Sequence, residues 1–207
     1  MSSPLLSSQR ACGHPPLTPF FRRRVAKSLS ASHPSLSIFS TLSPVPGFKK
    51  WLLTKCSPPE GSKFSPSEDD IFGPHLASFN DWKLASGEPA EESQVDTLLR
   101  VLETPSWHST PSTRLALEPI LTRLVAHYLC VEKYRGKPVD GVAKFHLNNG
   151  AGLHRINFGA DMTRKRMQQS FGMMVNYLYE DEETIDANHY RYMKGDVVAS
   201  DGVLALL

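Results

Sequence analysis

The sequence is poor in the residues that build disulfide frameworks and metal sites. Its 207 residues include three cysteines, which lie far apart and form no Cys-x-x-Cys pair: Cys12, Cys56 and Cys130. An odd number of widely spaced cysteines supports neither a disulfide framework nor a zinc site, and it indicates a reducing compartment. We expect no metal and no cofactor. No apolar run approaches the ~18 residues of a membrane-spanning helix, so no membrane association is expected either.

Charge is distributed unevenly along the chain. No acidic residue precedes Glu60, whereas eight lysines and arginines do, and residues 60–96 then carry nine acids against two lysines. A basic first third is compatible with a nucleic acid, a membrane surface or a phosphorylated ligand. Aromatic residues are not interleaved with these basic residues as they are in single-strand binders. We therefore expect no nucleic-acid partner.

The two ends of the chain bear on its location in the cell. Residues 1–19 are rich in serine, proline and leucine, lack acids and contain one arginine. This composition is typical of an organelle transit peptide, and a disordered tail explains it equally well. The C-terminal sequence Ala-Leu-Leu is not the peroxisomal signal Ser-Lys-Leu. We expect the mitochondrial matrix or the cytoplasm.

Residues 20–55 predict a helix, a strand and a second helix. Apolar residues recur at four-residue spacing over 20–29, which favours a helix with a basic face. Residues 36–42 alternate with a period of two, which is typical of a strand. Pro44 and Pro46 should end that strand because neither can donate a ladder hydrogen bond. A short helix is expected over residues 48–53.

Residues 56–92 have the composition of a linker inserted into a domain. Five prolines, several glycines and serines and a run of acids occur in this segment. Such a segment buries little apolar surface and usually remains solvated. We therefore predict an acidic, proline- and serine-rich linker here, with the domain resuming at residue 93.

Residues 93–207 predict further helices and two strands. Ser93 with Asp96 three residues later is a capping-box variant that should begin a helix. A longer helix should begin at Pro119, since proline is tolerated in a first turn, and end at Gly136. Three further segments are assigned by pattern, strands at residues 153–158 and 171–179 and a polar turn at 161–169.

Residues 140–150 are compatible with two structures. In a helix, Asp140 caps the start, Phe145 and Leu147 pack inward, and Gly150 supplies a left-handed exit. In a hairpin, Asn149 and Gly150 form the turn between two strands. We prefer the helix.

Two motifs far apart in the chain resemble those of a known family. Residues 42–48 read Leu-Ser-Pro-Val-Pro-Gly-Phe, an apolar strand that ends at a serine and two prolines. Residues 145–151 read Phe-His-Leu-Asn-Asn-Gly-Ala, with a histidine just before an Asn-Gly terminator. Together with residues 172–179 they resemble the C-terminal half of the malonyl-CoA decarboxylase family, and the resemblance covers residues 20–54 and 93–207.

This resemblance implies a fold, an activity and partners. The fold would be α/β (α+β), the C-terminal half of a GNAT-like acyl-CoA domain with a mixed sheet flanked by helices. The activity would be conversion of malonyl-CoA to acetyl-CoA and carbon dioxide, with malonyl-CoA as the ligand. The complete protein would be a homo-oligomer.

The resemblance also implies the site residues. Taken alone, Ser43 is an ordinary strand-terminating serine and His146 an ordinary core histidine. In the family, the matching serine accepts a proton and contacts the malonyl group, and the matching histidine donates a proton, a role that suits an imidazole near pH 7. Tyr179, at the end of the last predicted strand, is a further candidate for lining the acyl pocket.

One part of the family pattern has no counterpart in this sequence. The family's glutamine- and glycine-rich pyrophosphate loop should precede residue 20, where this chain has its serine- and proline-rich segment. Backbone N–H groups of such a loop bind phosphate, so weak CoA binding is expected of these 207 residues alone. Two other hypotheses remain open, a catalytically inactive interaction module of the same family and a different GNAT acyltransferase.

Overall fold

The computed structural model describes residues 28–29, 31–33, 38–57 and 67–207, and the chain divides into two compact units between residues 37 and 38. In the first unit, residues 28–29 and 31–32 are helical, and the His33 N–H donates to the Leu29 carbonyl over 2.7 Å. The helix predicted at 20–29 lies almost wholly outside the described residues. All elements below belong to the second unit.

Helices and short strands alternate along the second unit. The helices are α1 (Phe48–Cys56), α2 (Glu68–Phe72), α3 (Leu76–Ala85), α4 (Gln94–Glu103), α5 (Pro111–Cys130), α6 (Gly141–Asn148), α7 (Arg164–Ser170), α8 (Glu182–Met193) and α9 (Asp201–Leu204). The strands are β1 (Ser40–Pro44), β2 (Lys133–Tyr134), β3 (Lys137–Pro138), β4 (Gly152–Asn157) and β5 (Met174–Leu178). Among the described residues, no helix combines the length and apolarity needed to cross a bilayer.

Three strands form the sheet that positions the site. Their order is β1–β5–β4, and both pairings are antiparallel. A parallel contact is added by an isolated bridge between Leu153 of β4 and Ala199. The strands β2 and β3 form a separate two-stranded ribbon. The predicted α/β fold class, with helices flanking a sheet, is confirmed.

An aromatic core joins the first helix to α5 and to the end of α7. Phe48 of α1 is fully buried, and its ring lies 5.9 Å from the Tyr128 ring of α5 and 6.3 Å from Phe171, which ends α7. Aromatic pairs at these separations add to the stabilisation from buried area. This core holds α1 directly after β1, so the end of that strand has a fixed position.

The first strand begins later than predicted and includes a proline. It runs over Ser40–Pro44 rather than residues 36–42, of which 36 and 37 lie outside the described residues. Pro44 is its last residue and lies opposite Met174 of β5. Proline is tolerated at such a position because β1 pairs with β5 alone among the described strands, and a terminal edge position needs no further donor.

The predicted linker at 56–92 is wrong for residues 68–85, whereas residues 86–92 form turns and loop. Residues 68–85 form α2, a 3₁₀ turn over Gly73–His75 and α3. Ser67 caps α2 in a full capping box with Asp70. Phe72 and Phe79 are fully buried with ring centroids 4.7 Å apart. Burial of these aromatic residues outweighs the proline-rich, acidic composition on which the prediction rested.

The long helix α5 begins eight residues earlier than predicted. Pro111 occupies its first turn, whereas Pro119 lies inside the helix. An interior proline removes one backbone hydrogen bond. The helix continues because Leu117 and Ile120, on either side of Pro119, are both fully buried. The helix also ends at Cys130 rather than at Gly136, which instead lies in the turn between β2 and β3.

The predicted helices at 94–103 and 141–148 are confirmed. The Ser93 hydroxyl accepts from the Asp96 N–H at the start of α4, and Asp140 caps α6. Gly150 follows α6 with a φ of 78°, as the helical alternative requires. One detail was wrong, because Phe145 is exposed and the inward positions of α6 are held by Ala143, His146 and Leu147.

Two boundaries near the last strand also differ from prediction. The segment predicted as a polar turn forms α7, which is capped at its end by Phe171 in the left-handed conformation. The last strand is therefore shorter than residues 171–179 and runs over Met174–Leu178. At the C-terminus only Asp201–Leu204 is helical, after Ala199 has bridged to β4.

Candidate active site

Ser43 lies near the end of β1 on the buried face of the sheet. It is directly opposite Val175 of β5, and its exposure is 6%. Directly opposed residues of an antiparallel pair project from the same face, so Ser43 shares its face with Val175. Pro44 and Pro46 follow, and their fixed φ angles stiffen the chain that leaves the strand.

His146 projects from α6 toward Ser43. Its exposure is 5%, and its Nε2 lies 2.9 Å from the Ser43 Oγ in a buried hydrogen bond. The two residues are 103 positions apart in the sequence. The Asn149 and Ala151 N–H groups both donate to the His146 carbonyl, which holds the end of the helix.

Tyr179 completes a chain of hydrogen bonds. It directly follows β5, and its Oη lies 2.9 Å from the His146 Nδ1. Both ring nitrogens of His146 are therefore engaged, one by a serine and the other by a phenol. The structure brings all three residues singled out from the sequence into one cluster, and their chemical roles stay predictions.

Two further residues of the cluster were not singled out from the sequence. The Thr41 Oγ1 lies 3.1 Å from the Ser43 Oγ, and the Tyr177 ring is stacked on the His146 imidazole with centroids 4.3 Å apart and planes at 12°. Thr41 is two positions before Ser43, and Tyr177 is two positions before Tyr179. The period of two in a strand could have indicated both.

The surroundings of the imidazole are apolar or aromatic on several sides. Tyr177 is fully buried, and burial, with the nearby Asp140 charge second, raises the pKa of its phenol well above the usual value. Phe145 contacts the imidazole edge to face at 5.2 Å. Electrostatic interactions are strong in such a poorly hydrated site, so the few polar atoms around His146 have large effects.

A buried carboxylate caps the start of α6, the helix that bears His146. Asp140 is 2% exposed, and burial raises its pKa while hydrogen bonds from Ala143, Gly47, Val142 and Tyr128 lower it. Burial also raises the pKa of the Tyr128 phenol. Asp140 was predicted from the sequence as a helix cap, and its contact with Gly47 was not foreseen.

The described residues contain no group of three or more histidine, cysteine, aspartate or glutamate side chains that could hold a metal ion. Cys56 and Cys130 are free thiols within that part of the chain, and burial raises the pKa of each to about 11. A thiol with a raised pKa is a poor nucleophile at neutral pH. The cluster around His146 is the best candidate for chemistry.

The Ser43–His146–Tyr179 arrangement is suited to proton transfer. If the tyrosine donates to Nδ1, then Nε2 carries a proton and donates to the Ser43 oxygen. The Ser43 hydroxyl is then oriented to donate to a third group. In the other tautomer Nδ1 donates to the tyrosine, and Nε2 accepts the serine proton, as in a nucleophilic pair. The geometry allows a proton donor in the first case and an activated serine in the second.

Comparison with known proteins decides the family. Residues 9–207 match the sequence profile of the malonyl-CoA decarboxylase C-terminal domain. The chain belongs to this family. The matched range includes the positions of Ser43 and His146, and it also spans residues 58–66, which lie outside the described part.

Curated relatives and solved structures agree with this assignment. Mitochondrial malonyl-CoA decarboxylase of Rattus norvegicus is 38% identical over 191 residues, covering 91% of this chain and 36% of the rat protein. The corresponding protein of Anser anser anser is 35% identical over 185 residues, 89% of this chain and 35% of its own length. This chain therefore spans about a third of the length of the curated relatives it matches.

Crystal structures of bacterial malonyl-CoA decarboxylases have the same fold over most of the chain. The Agrobacterium vitis protein superposes with a TM-score of 0.69 at 36% identity, covering 91% of this chain and 40% of its own. The Cupriavidus metallidurans protein gives a TM-score of 0.64 at 36% identity, covering 91% and 43%. The similarity in fold thus covers less than half of each bacterial protein.

Proposed function

We propose that this protein acts as a malonyl-CoA decarboxylase, which converts malonyl-CoA to acetyl-CoA and carbon dioxide, and that Ser43 and His146 handle the proton. The observation that carries the proposal is the buried hydrogen bond between the Ser43 Oγ and the His146 Nε2, 2.9 Å long. It joins the two motifs that resemble the family's catalytic segments. Family membership supports the reaction, and the hydrogen bond supports the residues.

The chemistry requires a hydrogen-bond donor and a proton source. When the bond between the malonyl carboxylate carbon and C2 breaks, its electron pair moves into the thioester as an enolate. A donor aimed at the thioester oxygen stabilises this charge, and C2 then takes up one proton. Both needs are met by a hydroxyl whose own oxygen accepts a proton from an imidazole.

The tautomer with a proton on Nε2 fits these needs. Tyr179 donates to Nδ1, Nε2 donates to Ser43, and the Ser43 hydroxyl donates toward the substrate. As Ser43 gives its proton to C2, its oxygen takes the Nε2 proton, Nδ1 takes the Tyr179 proton, and Tyr179 regains a proton from solvent. One proton is consumed in each turnover, as the conversion of malonyl-CoA to acetyl-CoA requires. Ser43 is thus the proton acceptor and His146 the donor within the pair.

The substrate, assembly and location belong to the same proposal. Malonyl-CoA is the ligand, with Tyr179 lining the acyl pocket beside Ser43 and His146, and the complete protein is a homo-oligomer. Of the mitochondrial matrix and the cytoplasm, the matrix is favoured, because the rat and goose relatives are named as mitochondrial proteins.

The proposal is tested in a chimera, because this chain matches about a third of its relatives' length. In the rat relative, the segment that aligns with this chain is replaced by the corresponding residues of this chain. We expect the chimera to release carbon dioxide from malonyl-CoA. Ser43→Ala and His146→Asn should each lower the rate at least ~100-fold, the scale of general acid–base groups. Tyr179→Phe should lower it about tenfold, for one lost hydrogen bond.

The control is His75→Asn, which changes a histidine in the 3₁₀ turn Gly73–His75 and should leave the rate unchanged. Circular dichroism and thermal unfolding establish that each protein is folded. Near-normal carbon dioxide release by the Ser43 or His146 variant would disprove the assignment of the pair. A folded but inactive chimera would instead favour an inactive member of the family.

A further inference from the structure

One buried carboxylate contacts both segments that carry the proposed catalytic pair. The Asp140 Oδ1 accepts hydrogen bonds from the Val142 and Ala143 N–H groups over 2.9 and 3.0 Å. Asp140 is thus the N-cap of α6, the helix that bears His146 six residues later. Its first oxygen is fully used in holding the start of that helix.

The second oxygen of Asp140 faces the turn that follows Ser43. The Gly47 N–H lies 3.4 Å from Oδ2, and the Tyr128 Oη lies 3.5 Å from it. Gly47 is the N-cap residue of α1 and is four positions after Ser43. These contacts are longer than those of Oδ1, so each is individually weak.

The close approach of this turn leaves room for glycine alone. A Cβ at Gly47 would lie 2.3 Å from the Tyr128 Oη and 3.6 Å from the Asp140 Oδ2. The φ of Gly47 is −90°, so the requirement comes from space and not from backbone conformation. The sequence therefore keeps the backbone of the turn directly against Tyr128 and Asp140.

All four contacts of the carboxylate come from donors. Three are backbone N–H groups and one is a phenol, and an ionised carboxylate accepts from all of them at once. Two of the N–H groups belong to the start of α6 and one to the start of α1, so the positive ends of two helix dipoles meet at one negative charge. Asp140 is 2% exposed, so bulk solvent has little access to this link.

We propose that Asp140 is a positioning residue that sets the distance between Ser43 and His146 by joining the start of α1 to the start of α6. The effect that we predict on turnover rests on the function proposed above. Pro44 and Pro46 stiffen the path from Ser43 to Gly47, and α6 is a rigid path from Asp140 to His146. A displacement at Asp140 is therefore transmitted to the 2.9 Å bond between the pair.

Asp140→Asn separates this role from simple helix capping. Asparagine caps helices about as well as aspartate, so its oxygen replaces Oδ1 at Val142 and Ala143. Its amide NH₂ then faces the Gly47 N–H, and two donors repel. The matched control is Asp181→Asn at the exposed start of α8, where the aspartate accepts from the Thr184 N–H over 2.9 Å.

The first measurement needs no turnover and uses the 207-residue chain. The ¹⁵N chemical shift of the His146 Nε2 is recorded with and without Ser43→Ala, in the parent, Asp140→Asn and Asp181→Asn backgrounds. The shift change caused by Ser43→Ala reports the bond between the pair. We expect Asp140→Asn to reduce that change by at least half and Asp181→Asn to leave it intact. An undiminished change in a folded Asp140→Asn protein would overturn the proposal.

The second measurement follows kcat and KM in the chimera. A misplaced pair lowers kcat by roughly 10- to 100-fold, with KM little changed. In the Ser43→Ala background, Asp140→Asn should cause no further loss of kcat. If Asp140→Asn does not fold, Gly47→Ala gives the same test, because its methyl group forces the turn away from Tyr128 and leaves the cap untouched. Equal kcat in the parent and in either folded variant would contradict the positioning role. A chimera that is inactive in every form would instead refute the proposed function and leave the positioning role to the first measurement.

Discussion

Gly150→Ala perturbs the place where the helix bearing His146 meets α8. Gly150 has a φ of 78°, and a Cβ there would lie 2.3 Å from the Ile185 carbonyl oxygen and 2.6 Å from the Ile185 Cγ2. The oxygen belongs to a helical backbone and cannot rotate away. The Gly150 N–H also donates to the Leu147 carbonyl at the end of α6, so α6 and α8 must separate to admit the methyl group.

The expected loss of stability is the sum of two effects. Placing a non-glycine residue in the left-handed region costs about 1–2 kcal/mol, and overpacking against a rigid neighbour costs about 1–3 kcal/mol. We expect the free energy of unfolding to fall by about 2–5 kcal/mol, a large share of the ~5–15 kcal/mol typical of a domain. Urea unfolding followed by circular dichroism and tryptophan fluorescence measures it, with equal m-values required for the comparison.

Gly141→Ala is the matched control at the other end of the same helix. A Cβ at Gly141 would meet no atom within 4 Å, and its φ is not positive. Alanine there should be neutral or stabilise by up to ~1 kcal/mol. If Gly150→Ala and Gly141→Ala changed the unfolding free energy by the same amount, to within ~0.5 kcal/mol, the steric reasoning at Ile185 would be refuted.

Two further predictions concern pH and association. Hydrogen bonds from Arg100 and Thr97 lower the pKa of Glu92 to about 2 from 4.5, so its contribution to stability is present above pH 4.5 and is lost as the pH falls toward 2. Glu92→Gln should therefore lower the free energy of unfolding at neutral pH, and this difference from the parent should vanish as the pH falls from 4.5 toward 2. A difference that stays constant with pH would contradict the prediction. Leu42 is 54% exposed on β1, which pairs with β5 alone among the described strands, so Leu42→Lys should reduce self-association in sedimentation velocity. Equal sedimentation of both proteins would count against an exposed edge.

The elements that the sequence predicted well are those with strong local signals. Ser93 and Asp140 are good caps, and Gly150 supplies a left-handed exit, so α4 and α6 could be placed from a few residues each. The Ser43–His146 contact has no such local signal. It joins positions 103 residues apart, and the two motifs were paired through their resemblance to a family, which periodicity alone could not have done.

The errors arose where tertiary packing overrides local preference. Pro119 reads as a helix start, yet the buried face of α5 continues on both sides of it. Pro74 and the acids of residues 67–85 indicated a linker, yet Phe72 and Phe79 are buried there. Composition indicates whether an isolated segment would remain disordered in water. It does not include the apolar surface that neighbouring helices offer.

The candidate site also depends on a contact that tertiary packing sets and that no local sequence signal predicts. Thr41 and Tyr177 follow from strand periodicity once Ser43 and Tyr179 are known, because each lies two residues away on the same face. The contact between Asp140 and Gly47 has no such pattern, because a capping aspartate and a turn glycine are common in any sequence. The hydrogen bonds that Asp140 accepts from the Gly47 N–H and from the Val142 and Ala143 N–H groups reveal that the two helix starts share one acceptor. On our proposal, the distance between Ser43 and His146 depends on the Asp140 link between the starts of α1 and α6. Substitutions that loosen this link should change the rate of the proposed reaction before they unfold the protein.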